Sequence, residues 1–149
     1  MPSTRVFGFQ IWNSDLIEFK KGLGLPLGDK GEVVIPDLFL QNNSFKASVV
    51  RGIFDTDGCV YLEKKNGKLY PRLEITTISN KLANQLRRLL IEMSFRATKY
   101  SIKPKEINRR LYHRISVRGV EMFHKFMSVI KPANPKHIAK YEKFRKSFK

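Results

Sequence analysis

The chain has 149 residues, 42% of them hydrophobic and 11 of them Phe, which suits one packed domain and excludes disorder. Its 29 Lys and Arg against 13 Asp and Glu give a net charge of +16. That field attracts polyanions, and its spread along the whole chain points to a folded surface facing nucleic acid, a property shared by ribosomal and membrane-surface proteins. No apolar run approaches the ~20 residues that cross a bilayer, and the first residues, MPSTRVFGFQIWNSD, lack the pattern of a signal peptide. The expectation is an intracellular protein of the cytoplasm or nucleoid, with no membrane and no small-molecule cofactor. A lone Cys59 excludes an internal disulfide, and His113, His124 and His137 do not have zinc-ligand spacing. A metal, if bound, must be held by oxygen.

Residues 5–12 read as a strand. Ser14 then caps a short helix with Asp15 in its first turn and Lys20 and Lys21 in its last. GLGLPLGDKGE is a turn-rich connector, and VVIPDLF reads as a brief extended piece. From Ser44 the pattern is helical up to Gly58, whose missing Cβ suits a left-handed residue after the helix. CVYLEKK and KLYPRLEITTIS follow as strands joined at Asn66-Gly67, a strong hairpin signal. Leu82, Leu86, Leu89, Leu90 and Met93 make an amphipathic helix behind Ser79. Strands over about 96–103 and 109–118 and a helix over 119–130 come next. Asn134 caps a last helix that opens on Pro135 and carries a stripe of Ile138, Tyr141, Phe144 and Phe148.

The expected organisation is one α+β domain over 1–149, with an N-terminal extension over 1–43 and a core over 44–149 in the order α-β-β-α-β-β-α. Val60, Leu62, Leu73, Ile75, Ile115 and Val117 share the apolar phase of the strands. The opposite phase holds Tyr61, Glu63, Lys65, Tyr70, Arg72, Glu74 and Thr76, continued by Lys99, Ser101, Lys103, Arg110, Tyr112, Arg114 and Ser116. An antiparallel sheet with helices on one face leaves the other open. Interleaved Tyr and Arg make that open face either a solvated surface or a nucleic-acid interface.

Asp55 and Asp57 stand at the C-terminal end of the helix before Gly58, where the macrodipole disfavours anions. Rule-breaking of this kind concentrates at functional sites, and a cation such as Mg²⁺ would supply the compensation. Taken alone, DTDG reads as an ordinary turn, and an EF-hand fails because Cys59 and Asn66 would fall at ligand positions. On the same helix Ser48, Gly52 and Thr56 recur at i, i+4 and i+8. Such a ridge of small residues packs closely either within the monomer or against a twin helix.

VVRGIFDTDGCVYL resembles the LAGLIDADG motif, with Val50 to Gly58 on its nine positions. RLEITTISNKLANQLRRLL and IKPANPKHIAKYEKF resemble later segments of the same family of homing endonucleases, and LGLPLGDK…VIPD resembles the lead-in of intein-borne and archaeal intron-borne members. The resemblance implies a saddle-shaped sheet in the DNA major groove. With a single motif copy it further implies a homodimer on a pseudopalindromic double-stranded DNA site, the dimer interface running through Ser48, Gly52 and Thr56. It implies metal-dependent phosphodiester hydrolysis that leaves short 3′ overhangs. Asp57 and the Thr56 carbonyl would be metal ligands for Mg²⁺ (Mn²⁺ or Ca²⁺ as other occupants), with Asp55 in support. Lys136 matches the catalytic lysine, Lys81 a second basic position, and Thr77 stands where many members carry Gln or Asn to orient water. The alternatives are a non-cleaving binder of the same fold, such as an RNA maturase or regulator, and a basic structural protein of a ribonucleoprotein.

Overall fold

The structure, a computed structural model, describes residues 11–147. Residues 5–10 of the expected first strand, and Phe148, lie outside the described residues. Ile11 and Trp12 belong to no strand or helix. Helix α1, Ser14–Gly22, is capped by Asn13 rather than Ser14. Asn13 is extended and its side chain accepts the Leu16 N–H at 2.8 Å, which leaves Ser14 as the first helical residue. No residue of α1 is buried. A 3-10 turn at Lys30–Glu32 follows, and the extended piece ends at Pro36, because α2, Asp37–Gln41, begins directly after it.

Residues 29–36 are stitched to what comes later. The Ile35 N–H donates to Gln85 Oε1 at 2.8 Å and the Ile35 carbonyl accepts from Gln85 Nε2 at 3.1 Å. Ser79 Oγ donates to the Val33 carbonyl, and Arg110 Nη1 donates to both oxygens of Asp29 at 2.8 and 2.7 Å. Arg110, expected on the sheet face, thus lies outside the sheet, in the loop before the fourth strand, where it is tied to Asp29.

Helix α3, Asn43–Asp57, starts behind Asn42, whose side chain accepts the Ser44 N–H. Its C-terminal glycine has a different task from the one expected. Gly58 sits at φ −87° and ψ 160°, ordinary extended backbone. Glycine is needed there because a Cβ would run into the Phe54 ring and carbonyl oxygen. Strands β1, Gly58–Lys65, and β2, Lys68–Thr77, pair antiparallel with Lys65 opposite Lys68. Asn66 and Gly67 both have positive φ, 48° and 77°, as a tight two-residue hairpin demands. Helix α4, Asn80–Glu92, is capped by Ser79 and buries Leu82, Leu86, Leu89 and Leu90 as the periodicity predicts. Strands β3, Ala97–Ile102, and β4, Tyr112–Arg118, precede α5, Val120–Val129, and α6, Pro135–Lys146.

The sheet order is β1-β2-β4-β3, antiparallel throughout. This is the α+β arrangement expected from the sequence. Val60, Leu73, Ile75, Ala97, Ile115 and Val117 form its buried face and pack against the helices. The helices meet them with an aromatic chain: Phe95 to Phe126 at 5.6 Å, Phe126 to Phe54 at 4.7 Å, and Phe54 to the His137 ring at 4.4 Å. On α6 the buried residues are His137 and Phe144, and Ile138 of the expected stripe is exposed. The stripe is rotated because His137 hydrogen-bonds the end of α3.

The phase of β3 is also reversed. Lys99 pairs with Ile115 and Ser101 with His113, on the helix-covered face. Lys99 Nζ donates to Asn80 and Asn84 of α4, and Ser101 Oγ meets His113 Nδ1 at 3.0 Å. β3 is an edge strand whose helix-facing side meets the polar start of α4, so hydrophobic alternation does not mark it. Thr98, Tyr100 and Ile102 face the open side instead, and Lys103 follows the strand.

Candidate functional site

The two carboxylates at the end of α3 have separate surroundings. Asp55 accepts the Ala133 N–H through both oxygens, at 3.1 and 2.9 Å, and the Asn134 N–H at 3.1 Å. The Asn134 side chain returns a bond to the Asp55 carbonyl at 2.8 Å. Asp55 thus sits against the N-terminus of α6, and the donors there compensate the unfavourable helix end. The expected lack of compensation therefore holds only for Asp57. That carboxylate is exposed, with a 3.2 Å contact from Thr56 Oγ1 and no ion pair among the described residues.

Nearby groups close the rest of the helix terminus. The Phe54 carbonyl accepts the Gly58 N–H, and His137 Nε2 lies 3.1 Å from it. Burial pushes the His137 imidazole below its ordinary pKa, opposed by the bond to Phe54. A carbonyl oxygen only accepts, so Nε2 carries the hydrogen of this bond. Arg51 Nε donates to the Ile130 carbonyl at 2.7 Å, tying α3 to the end of α5. Thr56 Oγ1 bonds back to the Gly52 and Ile53 carbonyls.

Lys136 lies one residue past Pro135 in the first turn of α6, exposed, with its N–H on the Asn134 side chain at 3.0 Å. The Asp55 bonds bring the start of α6 to the end of α3, so Lys136 and Asp57 stand on adjoining elements. Lys81 is differently placed, paired with Glu32 at 2.9 Å. That hydrogen bond raises its pKa further above the ordinary lysine value. Thr77 Oγ1 accepts the Ser79 N–H at 3.1 Å, and Thr77 and Asp57 both line a groove of about 540 Å³. Its other walls are mainly apolar, with Val33, Ile35, Phe39, Val49 and Ile53 among them. Lys30 also lines this groove; no motif or periodicity marked it in the sequence.

Ser48, Gly52 and Thr56 are all exposed on α3, and a Cβ built at Gly52 meets nothing within 4 Å. The ridge has no partner within the chain among the described residues.

Register puts Tyr61, Glu63, Lys65, Tyr70, Arg72, Glu74, Thr76, Tyr112, Arg114 and Ser116 on the open face, as their alternation predicts. Arg118, Tyr100 and Thr98, which alternation had not marked, join them. The cations interleave with rings: Arg72 lies 5.0 Å from the Tyr61 centroid, Arg114 6.0 Å from Tyr112, and Arg118 5.9 Å from Tyr100. The Tyr61 hydroxyl is pushed above its usual pKa, chiefly by the Cys59 thiol. Glu74 and Ser116 are in phase yet buried, beneath longer neighbours. A face of planar cations and exposed rings can stack on bases and hold phosphates.

Among solved structures the chain is similar to "The crystal structure of I-DmoI in complex with DNA and Mn", at 20% identity and a TM-score of 0.44 over 60% of this chain and 51% of that one. It is also similar to a structure of mesophilic variants of the homing endonuclease I-DmoI, at 18% identity and a TM-score of 0.42, over 58% and 49% of the two chains. The chain spans about half the length of these relatives. No curated protein matches it. The family description "LAGLIDADG-like domain" matches residues 44–131, from the start of α3 to just past α5. With more than half of its length matched in this way, the chain belongs to the LAGLIDADG family.

Proposed function

We propose that the protein is a divalent-metal-dependent DNA endonuclease that works as a homodimer, with the open sheet face on DNA and Asp57 at the reaction centre. The observation that carries the reading is Asp57 itself: an exposed carboxylate at an anion-disfavouring helix end, with no ion pair among the described residues, beside a bare small-residue ridge. Among the described residues no three His, Cys, Asp or Glu side chains gather as a ready metal cluster. The Asp57 carboxylate and the Thr56 carbonyl fit Mg²⁺ as part of a shell, since this ion uses one or two carboxylates together with substrate phosphates and water. A second copy packed along Ser48, Gly52 and Thr56 would bring a second Asp57 to the same end.

When bound, Mg²⁺ lowers the pKa of a water and offsets charge on a phosphate. The remaining work falls to the chain. Lys136 places a cation where negative charge grows on the phosphate. Thr77 offers a hydroxyl near Asp57 for ordering solvent. The Arg and Tyr side chains of the sheet set the duplex in register. The proposed unit is one domain over 1–149, with residues before 44 bracing the core through Ile35 and Asp29.

The test is cleavage of a supercoiled plasmid library by the full chain with Mg²⁺, followed by sequencing of the linearised products. Discrete double-strand cuts with 3′ overhangs are expected, and Asp57→Asn should abolish them while duplex binding persists. Cleavage that survives Asp57→Asn overturns the reading. Duplex binding without any cutting, in Mg²⁺ or Mn²⁺, would leave the non-cleaving binder as the function.

A further inference from the structure

Glu74 occupies an unusual place for a carboxylate. It points to the open face of β2, opposite Cys59 on β1 and Ser116 on β4, yet it is only 4% exposed. Small neighbours on both sides leave a floor, and Arg72 and Arg114 lie over it. Arg72 Nε stands 3.0 Å from Glu74 Oε1 and Arg114 Nε 3.3 Å from Glu74 Oε2. A second acid, Glu63, takes Arg72 Nη1 at 2.6 Å.

These contacts are close in distance and poor in direction. Arg72 Nε, Glu74 Oε1 and Arg114 Nε are buried polar atoms without a properly aimed hydrogen bond. The charges are compensated within the cluster although the aim is poor, so Glu74 holds both arginines from beneath by attraction at their inner nitrogens. The guanidinium is planar, with donors on fixed edges. Attraction at Nε leaves the two terminal nitrogens of Arg114 without an ion pair or hydrogen bond among the described residues, whereas Arg72 gives Nη1 to Glu63. The open end of Arg114 is the fork that matches the O6 and N7 acceptors of guanine.

We propose that Glu74 is a positioning residue for sequence readout: it anchors Arg72 and Arg114 by their inner nitrogens so that the open guanidinium end of Arg114 meets a base edge beside Arg72. This rests on the nucleic-acid reading above. It also divides the two arginines. Arg72 is shared between two acids, whereas Arg114 has the more available fork and dominates discrimination.

The experiment selects bound duplexes from a randomised pool and compares wild type, Glu74→Gln, Arg114→Lys and the double variant. Wild type should enrich a defined sequence. Arg114→Lys should lose about tenfold of the discrimination at one base position, Glu74→Gln should lose it at the same position, and the double variant should lose no more than either. Overall affinity of Glu74→Gln should rise, because a negative charge leaves the surface. Full retention of the preference by Glu74→Gln overturns the proposal, as does an equal loss at every position. A wild type that binds no duplex in the pool sinks the nucleic-acid reading and this proposal together. Because Glu74→Gln could fail to fold, side-chain ¹⁵N–¹H spectra of the wild type give a second reading. The Arg72 and Arg114 Nε–H signals should shift and exchange more slowly when the enriched duplex is added, and unmoved signals overturn the proposal.

Discussion

Asp55 and Asp57 differ by two positions and should respond to truncation with opposite signs. Asp55→Ala removes the acceptor of two backbone N–H groups, those of Ala133 and Asn134. A hydrogen bond to a charged group contributes about 1.5–3 kcal/mol. Asp55 is half-buried and Ala133 is exposed, so water replaces part of that, and relief of the helix-end penalty returns another part. The net loss is about 2 kcal/mol. Asp57→Ala removes an anion from the negative end of α3 and, with it, only an exposed contact from Thr56 Oγ1, so at low salt it should stabilise the fold by roughly 0.3–1 kcal/mol.

For a chain of this size 1 kcal/mol moves the Tm by about 2–4 °C. Asp55→Ala should therefore melt ~4–8 °C lower, and Asp57→Ala slightly higher than wild type. Thermal unfolding followed by circular dichroism, at one fixed protein concentration so that self-association contributes equally, measures both shifts, and urea unfolding checks the free energies. The same two proteins should diverge again in catalysis, since Asp57→Ala gains stability and loses cleavage. Equal destabilisation by the two substitutions would refute the division of roles, because it would mean that Asp57 is also tied into the monomer.

Gly52→Glu should leave the monomer folded, since a Cβ there meets nothing, yet place like charges across a two-fold helix pair; analytical ultracentrifugation should show a dimeric wild type and a monomeric variant. Gly58→Ala should cost about 3 kcal/mol in urea unfolding, because the new methyl displaces Phe54 and the carbonyl that serves both Gly58 and His137. Stability should also depend on pH through His137 and His113, both lowered from an ordinary value of 6.5, first by burial. The unfolded chain then binds protons that the folded one refuses, so their contribution is complete above pH 6.5 and is lost as pH falls below it. His137→Gln keeps a donor for the Phe54 carbonyl and should flatten this dependence in urea midpoints measured across that range.

Local rules carried far where partners were local. The Asn66-Gly67 turn, the Ser79 and Asn134 caps and the leucine stripe of α4 all involve residues within a few positions of one another, and each stands where periodicity and turn chemistry put it. The open face was legible in β1, β2 and β4, because their other phase is apolar, with Val60, Leu73, Ile75, Ile115 and Val117 against the helices. It was illegible in β3, where Lys99 and Ser101 turn to α4 and His113 through contacts 12 to 19 residues away. Gly58 shows a subtler limit. The residue type was a sound signal, but two causes demand glycine, a left-handed backbone and a crowded Cβ, and only the position of Phe54 separates them.

The same limit governs the two acids. Both stood out as anions at the wrong end of a helix, but what distinguishes them lies 78 and 79 residues further along, at Ala133 and Asn134. Once Asp55 is assigned to that junction, its contribution to the site becomes positional. It fixes the first turn of α6 against the last turn of α3, with His137 locking the same junction from the buried side. Lys136 lies between those two anchors in sequence, so its backbone is held while its side chain remains exposed. A cation meant only for solubility needs no such mounting. Under the proposed endonuclease function Lys136 must meet a phosphate beside Asp57, and that does require it, because a misplacement of about 1 Å can cost two orders of magnitude in rate.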